Sequence, residues 1–250
     1  MNSIFEFKEI NSPINNEKIN LLYHEVINIE ELEQESLKNM EYIGETIENK
    51  AKTILFDIVK DIQIRNFYAY IIREMLRNIP EHSESSKAEL NIYMGINQIA
   101  FIVSDEGIGV RESLNKNPKY RMLNDQTAVT FAIRPGITRS YKWDNLRDEM
   151  WQNSGFGLYM VSSLMKQLGY FFLQSGDGAI ELKGIFKEFP KVKRINGTRV
   201  VVIIDTTKKI NIPQVIKEIS IRGSEEARSS NKYANYADIK TASKASTLID

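Results

Sequence analysis

The stretch Asn66–Ser83, NFYAYIIREMLRNIPEHS, places a strongly apolar helix beside polar side chains that are candidates for function. At about 100° per residue, one broad face of this helix is apolar and must be buried; its residues are Phe67, Tyr68, Ile71, Ile72, Met75, Leu76 and Ile79. Glu74 and Asn78 lie at the border of that face. Because they are separated by one helical turn, their side chains can reach the same small ligand or ion. An ordinary amphipathic helix with polar border residues has the same pattern, so this helix alone leaves both interpretations open.

The composition is that of an ordinary globular protein, with 250 residues, of which 42% are hydrophobic and 26% charged; this suffices for one large domain or two small ones. Lys plus Arg and Asp plus Glu both number 33, so the summed charge does not indicate nucleic acid or an anionic membrane as the main partner. The absence of cysteine excludes disulfides, thiolate metal sites and a cysteine nucleophile. The first residues do not resemble a signal peptide, and no apolar run is long enough to span a bilayer. We therefore expect a cytoplasmic protein with no membrane partner.

Apolar runs of strand length predict a β-sheet. Apolar and polar residues alternate over Ala88–Met94, which is typical of a half-buried strand, and Gln98–Ser104 is continuously apolar, which is typical of a strand covered on both faces. The turn at Gly95–Asn97 joins them into a predicted hairpin. Further strands are predicted at 170–174, 179–183 and 198–204. The β-branched composition of the last one predicts a central position in the sheet.

Apolar residues at helical spacing predict further helices. These lie at 29–50, 53–64, 125–133 and 154–168, with a short helix ahead of Gly223. Gly169 is placed to cap the helix at 154–168. From Gly223 onward the sequence is rich in Ser, Ala, Lys and Asn, which predicts a disordered or partner-dependent tail.

Two glycine-containing segments are candidates for ligand contacts. Asp105-Glu106-Gly107-Ile108-Gly109 follows a buried strand, at the point where the chain leaves the sheet. Glycine there permits a positive φ and a close approach of the backbone to a ligand. Asp105 can accept hydrogen bonds from an exocyclic amino group such as that of adenine. A plain turn is the alternative.

The second segment, Gly155-Phe156-Gly157-Leu158, begins the helix at 154–168, with Asn153 and Ser154 as candidate caps. Unpaired amides and the positive end of the helix dipole make such a start a natural phosphate site. It is not a P-loop, because no Lys-Ser or Lys-Thr follows, and it is not a Rossmann fingerprint, because Met160 replaces the third glycine.

In this order, the segments resemble the ATP-binding domain shared by DNA gyrase, Hsp90, histidine kinases and MutL, the GHKL or Bergerat-fold ATPases. EMLRNIPEHS is similar to the N box of that family, DEGIGV to its first glycine box, NSGFGLYMVSSL to its second, and GTRVV, at Gly197-Thr198, to its last threonine-containing strand. The resemblance covers about residues 55–205. No single box is specific, but the four in this order and spacing are.

The resemblance implies an α+β fold, a two-layer α/β sandwich in which helices cover one face of a mixed, mostly antiparallel sheet. An ATP lid, at about 111–154, lies between the glycine boxes. The implied domain covers 53–210, preceded by a helical or extended segment at 1–52 and followed by a C-terminal helix and flexible tail at 211–250.

The resemblance also implies site residues. Asn78 holds the Mg²⁺ that bridges the phosphates, as suits a hard ion that prefers oxygen, and Glu74 orients or deprotonates the attacking water or hydroxyl. Asp105 accepts from the adenine amino group, and Thr198 supports that contact. The glycines that let the chain pass close to the base are Gly107 and Gly109. The residues that cradle phosphates are Ser154, Gly155, Phe156, Gly157 and Leu158.

Some residues depart from the family pattern or are not assigned by it. Pro80 stands where the family has a small residue, and proline removes a backbone donor from the end of a helix. Arg139 and Lys142 are candidates for a γ-phosphate clamp from the lid, but no family motif fixes either residue, and a solvated basic loop is the favoured interpretation. His82 occupies a place where the kinases often carry histidine, and an ordinary helix-end residue is the alternative.

The implied function is that of an Mg-ATP-binding protein and slow ATPase whose nucleotide state controls a protein partner. The alternative is a protein kinase or an anti-sigma-like partner-switching module that acts on a separate protein, such as a STAS-like antagonist or an effector. His24 is a weak candidate for a phosphoacceptor, because no proline follows it at the usual place and no long paired helices flank it. A homodimer is compatible with either function.

Overall fold

The computed structural model describes residues 19–140 and 154–230. In these residues seven strands form one sheet, in the spatial order β1-β2-β3-β7-β4-β5-β6. The strands are β1 (Asn20–Asn28), β2 (Lys87–Met94), β3 (Gln98–Asp105), β4 (Gly169–Ser175), β5 (Gly178–Lys183), β6 (Phe186–Glu188) and β7 (Thr198–Asp205). Every neighbouring pair among them is antiparallel. The fold class is therefore α+β, as predicted, with a sheet that is antiparallel in every described pair rather than mixed.

The helices pack on one face of this sheet. They are α1 (Ile29–Asn39), α2 (Ile43–Leu55), α3 (Ile62–Leu76), α4 (Gly109–Asn115), α5 (Asp125–Ala132), α6 (Gly157–Leu168) and α7 (Ile212–Ser230), and a π-helical turn, Ile79–Ser83, follows α3. Their apolar residues join one face of the sheet in a large core, whereas a smaller cluster lies on the other face. Within the ranges above, no helix combines the length and the apolar composition needed to cross a membrane.

The central strand β7 lies between β3 and β4, as its β-branched composition predicts. Its side chains alternate between the two faces, because successive residues of a strand point in opposite directions. Val200 and Val202 belong to the core on the helix side, and Val201 and Ile203 to the cluster on the other side. Burial on both faces thus explains the unbroken apolar run.

The structure confirms the strands predicted from apolar runs and the hairpin formed by β2 and β3. It differs from the helix predictions where a turn interrupts a periodic pattern. The predicted helix at 29–50 is two helices, because Met40 adopts a left-handed conformation with φ 55° and ends α1. The predicted helix at 53–64 is interrupted as well: α2 ends at Leu55, and Asp61 starts α3 by accepting hydrogen bonds from the amides of Gln63 and Ile64.

The segment at 1–52 contributes β1, α1 and α2 to this assembly. β1 pairs with β2 along Asn20–Asn28, and α2 packs against α3. The described part of the segment is thus continuous with the sheet and its helical layer, and the division of the chain into domains stays a prediction.

The C-terminal helix α7 continues past Gly223, where a tail was predicted, to Ser230. Gly223 packs tightly against α6: a Cβ atom there would lie 2.4 Å from Cε1 of Tyr159. Ala227, one turn later, is also buried. Tertiary packing on α6 therefore extends a helix that composition alone does not predict.

Candidate functional site

Three polar side chains form a row across the three central strands of the sheet, at the end of each strand. Asp105 ends β3, Thr198 begins β7 and Ser175 ends β4; Thr198 is the register partner of both of the others. Residues directly opposite each other in antiparallel strands point to the same face, and here it is the face that the helices cover. The row thus lies at one end of the sheet, beneath the helical layer.

This row borders a cleft between the sheet, the end of α3, the start of α6 and the segment 109–139. Predicted site residues that line the cleft are Glu74, Asn78, Asp105, Gly109, Gly155, Gly157, Leu158 and Thr198. The structure therefore brings together all four segments that carry the family resemblance. Gly107, Ser154 and Phe156 were also predicted, but they do not line the cleft.

Asp105 is a buried carboxylate at the edge of the cleft. Its Oδ1 accepts a hydrogen bond of 2.8 Å from the amide of Gly107, and the Ser83 hydroxyl donates to the same carboxylate. Burial raises the pKa of Asp105 to about 6, against the opposing effect of these two hydrogen bonds. At neutral pH the group is ionised and accepts from a ligand's amino group.

Ser175 does not line the cleft but supports residues that do, and the sequence did not reveal it. Its hydroxyl accepts from the amide of Val110 (2.9 Å) and from the Thr198 hydroxyl (3.3 Å), and it donates to the carbonyl of Gly197 (2.9 Å). Ser175 thus ties the first turn of α4 to β4 and β7. Its position before the turn Gly176–Gly178 was visible in the sequence, but the register with Thr198 was not.

The two glycines of the first box have different structural reasons. A Cβ atom at Gly107 would lie 2.0 Å from the carbonyl oxygen of Ser83, an oxygen that accepts from the amide of Ile108. Gly107 therefore permits close packing against the π-helical turn. Gly109 has φ +75° and faces Ser175 and the cleft. Of the two glycines, only Gly109 lines the cleft.

Glu74 is buried rather than at the border of its helix, because Arg73 pairs with it. The Nε and Nη2 atoms of Arg73 donate to Oε1 of Glu74 at 3.0 and 2.8 Å. Its Nη1 pairs with Glu48 of α2. The remaining oxygen of Glu74, Oε2, lies against Gly157, where a Cβ atom would be only 2.7 Å away. Arg73 and Glu48 thus fix Glu74, and Gly157 allows α6 to begin beside it.

Asn78 lines the cleft, and its side-chain amide is held by the end of α3. Its Nδ2 donates to the carbonyls of Glu74 (2.5 Å) and Met75 (3.4 Å), which assigns the orientation of the amide. The Oδ1 accepts no hydrogen bond from the described residues. No group of three or more His, Asp or Glu side chains that could hold a metal occurs in them either. A divalent cation that prefers oxygen, bound here, would have Asn78 as its protein ligand and would take its other oxygens from ligand phosphates and water.

Pro80 is explained by the shape of the chain after α3. The α-helix ends at Leu76, and Pro80 occupies the start of the π-helical turn Ile79–Ser83. Proline removes one backbone donor there, and a widened turn accommodates the loss. The turn then delivers Ser83 to Asp105 and Gly107.

The start of α6 is formed by glycine and by a buried aromatic ring. Gly155 has φ +71°, and a Cβ atom there would lie 2.6 Å from the carbonyl oxygen of Ile137. Phe156, the N-cap, makes no side-chain cap, and its ring packs edge-on against Tyr159 in the core. The predicted cap Ser154 precedes the actual N-cap, and Asn153 lies outside the described residues. Among the described residues, no side chain caps the first amides of α6, which suits an anionic ligand.

At the mouth of the cleft, Arg139 is already engaged. Its Nη1 donates to Oε1 of Glu84 (3.0 Å) and to the carbonyl of His82 (3.3 Å). Lys116 of the same segment pairs with Glu84 too. These contacts hold segment 109–139 against the end of the π-helical turn. Lys142 and the rest of the predicted lid, up to residue 153, lie outside the described residues.

The chain matches no protein-family model, and no curated protein matches it. Function is therefore inferred from the geometry of the cleft and from the resemblance of the four segments.

Proposed function

We propose that the protein binds Mg-ATP in this cleft and hydrolyses it slowly. One observation carries the proposal: four separate segments, each similar to a box of the GHKL family, line a single cleft. They contribute Glu74 and Asn78, Asp105 and Gly109, Gly155, Gly157 and Leu158, and Thr198. If the short motifs resembled the family only by chance, there would be no reason for all four to meet at the same cleft.

The sheet end of the cleft suits an adenine base. Asp105 offers an ionised acceptor, and the Thr198 hydroxyl lies in the same row. Val103 and Val200 are register partners next to these two residues along the strands, and both line the cleft. A single acceptor beside an apolar wall recognises a flat base through its exocyclic amino group.

The helix end of the cleft suits phosphates and the hydrolytic step. The first amides of α6, which no described side chain caps, attract the phosphate chain, and Asn78 supplies an oxygen ligand for Mg²⁺. Bound Mg-ATP supplies an electrophilic phosphorus with its charge partly neutralised. Glu74, held through Oε1 by Arg73, uses Oε2 to orient a water and take its proton.

In this proposal, closure of the lid transmits the nucleotide state to a protein partner. Transfer of phosphate to a separate protein is the alternative reaction. His24 does not serve as an acceptor within the chain, since it lies on the other face of the sheet, where its Nδ1 is 2.8 Å from Oδ1 of Asn91.

Calorimetric titration with ATP, with and without Mg²⁺, tests the proposal, together with incubation with ATP labelled on the γ-phosphate. We expect Mg²⁺-dependent binding and free labelled phosphate. The Asp105→Asn variant turns an amide donor toward the base, so its affinity should fall by about tenfold or more. Label retained on an added partner protein would instead favour the kinase. Wild-type protein that binds no nucleotide would contradict both reactions.

A further inference from the structure

Arg77 is a buried cation whose pairing is incomplete. It follows α3 directly and is almost fully buried. Its Nε pairs with Oε1 of Glu81 at 3.0 Å. Its Nη1 is buried and finds no hydrogen-bond partner in the part of the chain that the structure describes. A buried donor without an acceptor is destabilising, so its retention calls for a physical reason.

The position of Arg77 supplies such a reason. Arg77 lines the cleft beside Asn78. Glu81, in the π-helical turn, and Gly157, at the start of α6, line the same cleft. Although burial lowers the pKa of Arg77, the carboxylates of Glu81 and Glu74 raise it above its ordinary value. The cleft thus holds a permanent positive charge near the start of α6. Both features attract an anion.

The other arginines near the cleft are already bound. Arg73 is shared between Glu74 and Glu48. Arg139 is held by Glu84 and the carbonyl of His82. Arg77 differs from both because its Nη1 has no acceptor within residues 19–140 and 154–230.

We infer that Arg77 is the cationic contact for the phosphate chain of the ligand, with Glu81 as its restraining partner. The inference rests on the proposed function for the identity of the ligand as a nucleoside polyphosphate. On ligand binding, a rotation of the guanidinium brings the buried Nη1 to a phosphate oxygen, while Glu81 holds Nε and competes for the same guanidinium. The contact discriminates polyphosphates from nucleosides, because a nucleoside has no anionic oxygen to offer.

Two variants with opposite expected effects test this role. Calorimetry with inorganic tripolyphosphate, ATP and adenosine is carried out on wild type, Arg77→Gln and Glu81→Gln. Arg77→Gln should weaken tripolyphosphate and ATP by about tenfold or more, through loss of a charge-assisted hydrogen bond, and leave adenosine unchanged. Glu81→Gln keeps the guanidinium and removes its competitor, so both anions should bind several-fold more tightly.

The exposed Arg121 provides a matched control, since Arg121→Gln also removes one positive charge but lies off the cleft. Its affinities should equal those of wild type, and an equal loss in Arg121→Gln would overturn the role of Arg77. If Arg77→Gln does not fold, Glu81→Gln decides, and unchanged or weaker anion binding by that variant rejects the inference. Tripolyphosphate binding that follows this pattern without ATP binding would reject the proposed function alone. ATP binding that needs Asp105 but ignores both variants would reject the inference alone.

Discussion

Two ion clusters adjoin the cleft at different depths. The floor cluster consists of Arg73, Glu74 and Glu48, and the mouth cluster consists of Glu84, Lys116 and Arg139. On the floor one cation, Arg73, is shared by two carboxylates; at the mouth one carboxylate, Glu84, is shared by two cations. The side chain of Arg73 is 2% exposed, whereas that of Glu84 is 46% exposed. Water and salt weaken the exposed cluster, but the buried one must stay complete, because a lone charge there is not solvated. The floor cluster thus holds the side chain of Glu74 in one position, whereas the ion pairs of the mouth cluster can open at little energetic cost.

The strongest test of this contrast is Arg73→Met. The substitution leaves Glu74 buried beside an apolar side chain, so we expect the free energy of unfolding to fall by roughly 3–5 kcal/mol. Urea unfolding followed by circular dichroism measures it. Adding Glu48→Gln and Glu74→Gln to the same protein removes the uncompensated charges and should recover most of the loss. A loss below about 1 kcal/mol in the single variant would show that the floor behaves like a surface cluster.

A second test concerns what the floor fixes. Glu74→Gln keeps an acceptor for Arg73 but cannot take a proton, so turnover of ATP should fall by about 10²-fold or more, with ATP affinity close to that of wild type. Phosphate release and calorimetry measure the two quantities. Glu35→Gln, on the exposed side of α1, is the control and should turn over normally. Equal hydrolysis by Glu74→Gln would remove Glu74 from its role.

Asp105 extends the comparison to a buried carboxylate that pairs with no cation in the described residues. Burial raises its pKa from 3.8 to about 6, whereas hydrogen bonds from Lys116 and Arg139 lower the pKa of Glu84. Because folded Asp105 binds its proton more tightly than the unfolded chain, its contribution to stability is largest below pH 4. It is lost as the pH rises through 6, and the difference is about 3 kcal/mol.

Urea unfolding between pH 4 and pH 7 checks this sign. Relative to wild type, Asp105→Asn should become more stable as the pH rises across that window. The ATP affinity of wild type should rise over the same pH range in which the contribution of Asp105 to stability falls. Protonated Asp105 is a poorer acceptor, so wild type should bind ATP more weakly below pH 6. A stability difference that does not vary with pH would contradict the assigned pKa.

The smallest expected effect is that of Glu84→Gln at the mouth. Because the cluster is exposed, the free energy of unfolding should match that of wild type within error. Amides of 109–139 should exchange faster with deuterium, since both cations lose their partner. The difference should disappear at about 1 M salt, where charges are screened within a few ångström. Glu106→Gln, at an exposed loop residue, should leave the exchange of these amides unchanged. An effect equal to that of Glu84→Gln would show that Glu84 does not hold segment 109–139 specifically.

Much of the frame of the site follows from local patterns in the sequence. Helical periodicity places Glu74 on a helix and Asn78 one turn further along the chain, although α3 ends at Leu76 and Asn78 precedes the π-helical turn. The apolar run before Asp105 places that carboxylate at the end of a buried strand. The β-branched run after Thr198 predicts the central strand β7. These predictions hold because side-chain burial repeats with the period of the backbone, so that neighbours in sequence report the exposure of each face.

The tertiary structure decided which side chains meet. Arg73 pairs with Glu48, 25 residues away, and Ser175 binds the amide of Val110 across 65 residues. Gly157 adjoins Glu74, and Gly223 extends α7 by packing on α6. None of these contacts leaves a periodic trace, because each depends on the register and packing of elements that are distant in the chain. The sequence by itself thus determined the helices, strands and polar positions that can form the site, and folding alone determined the partners that bury and orient them.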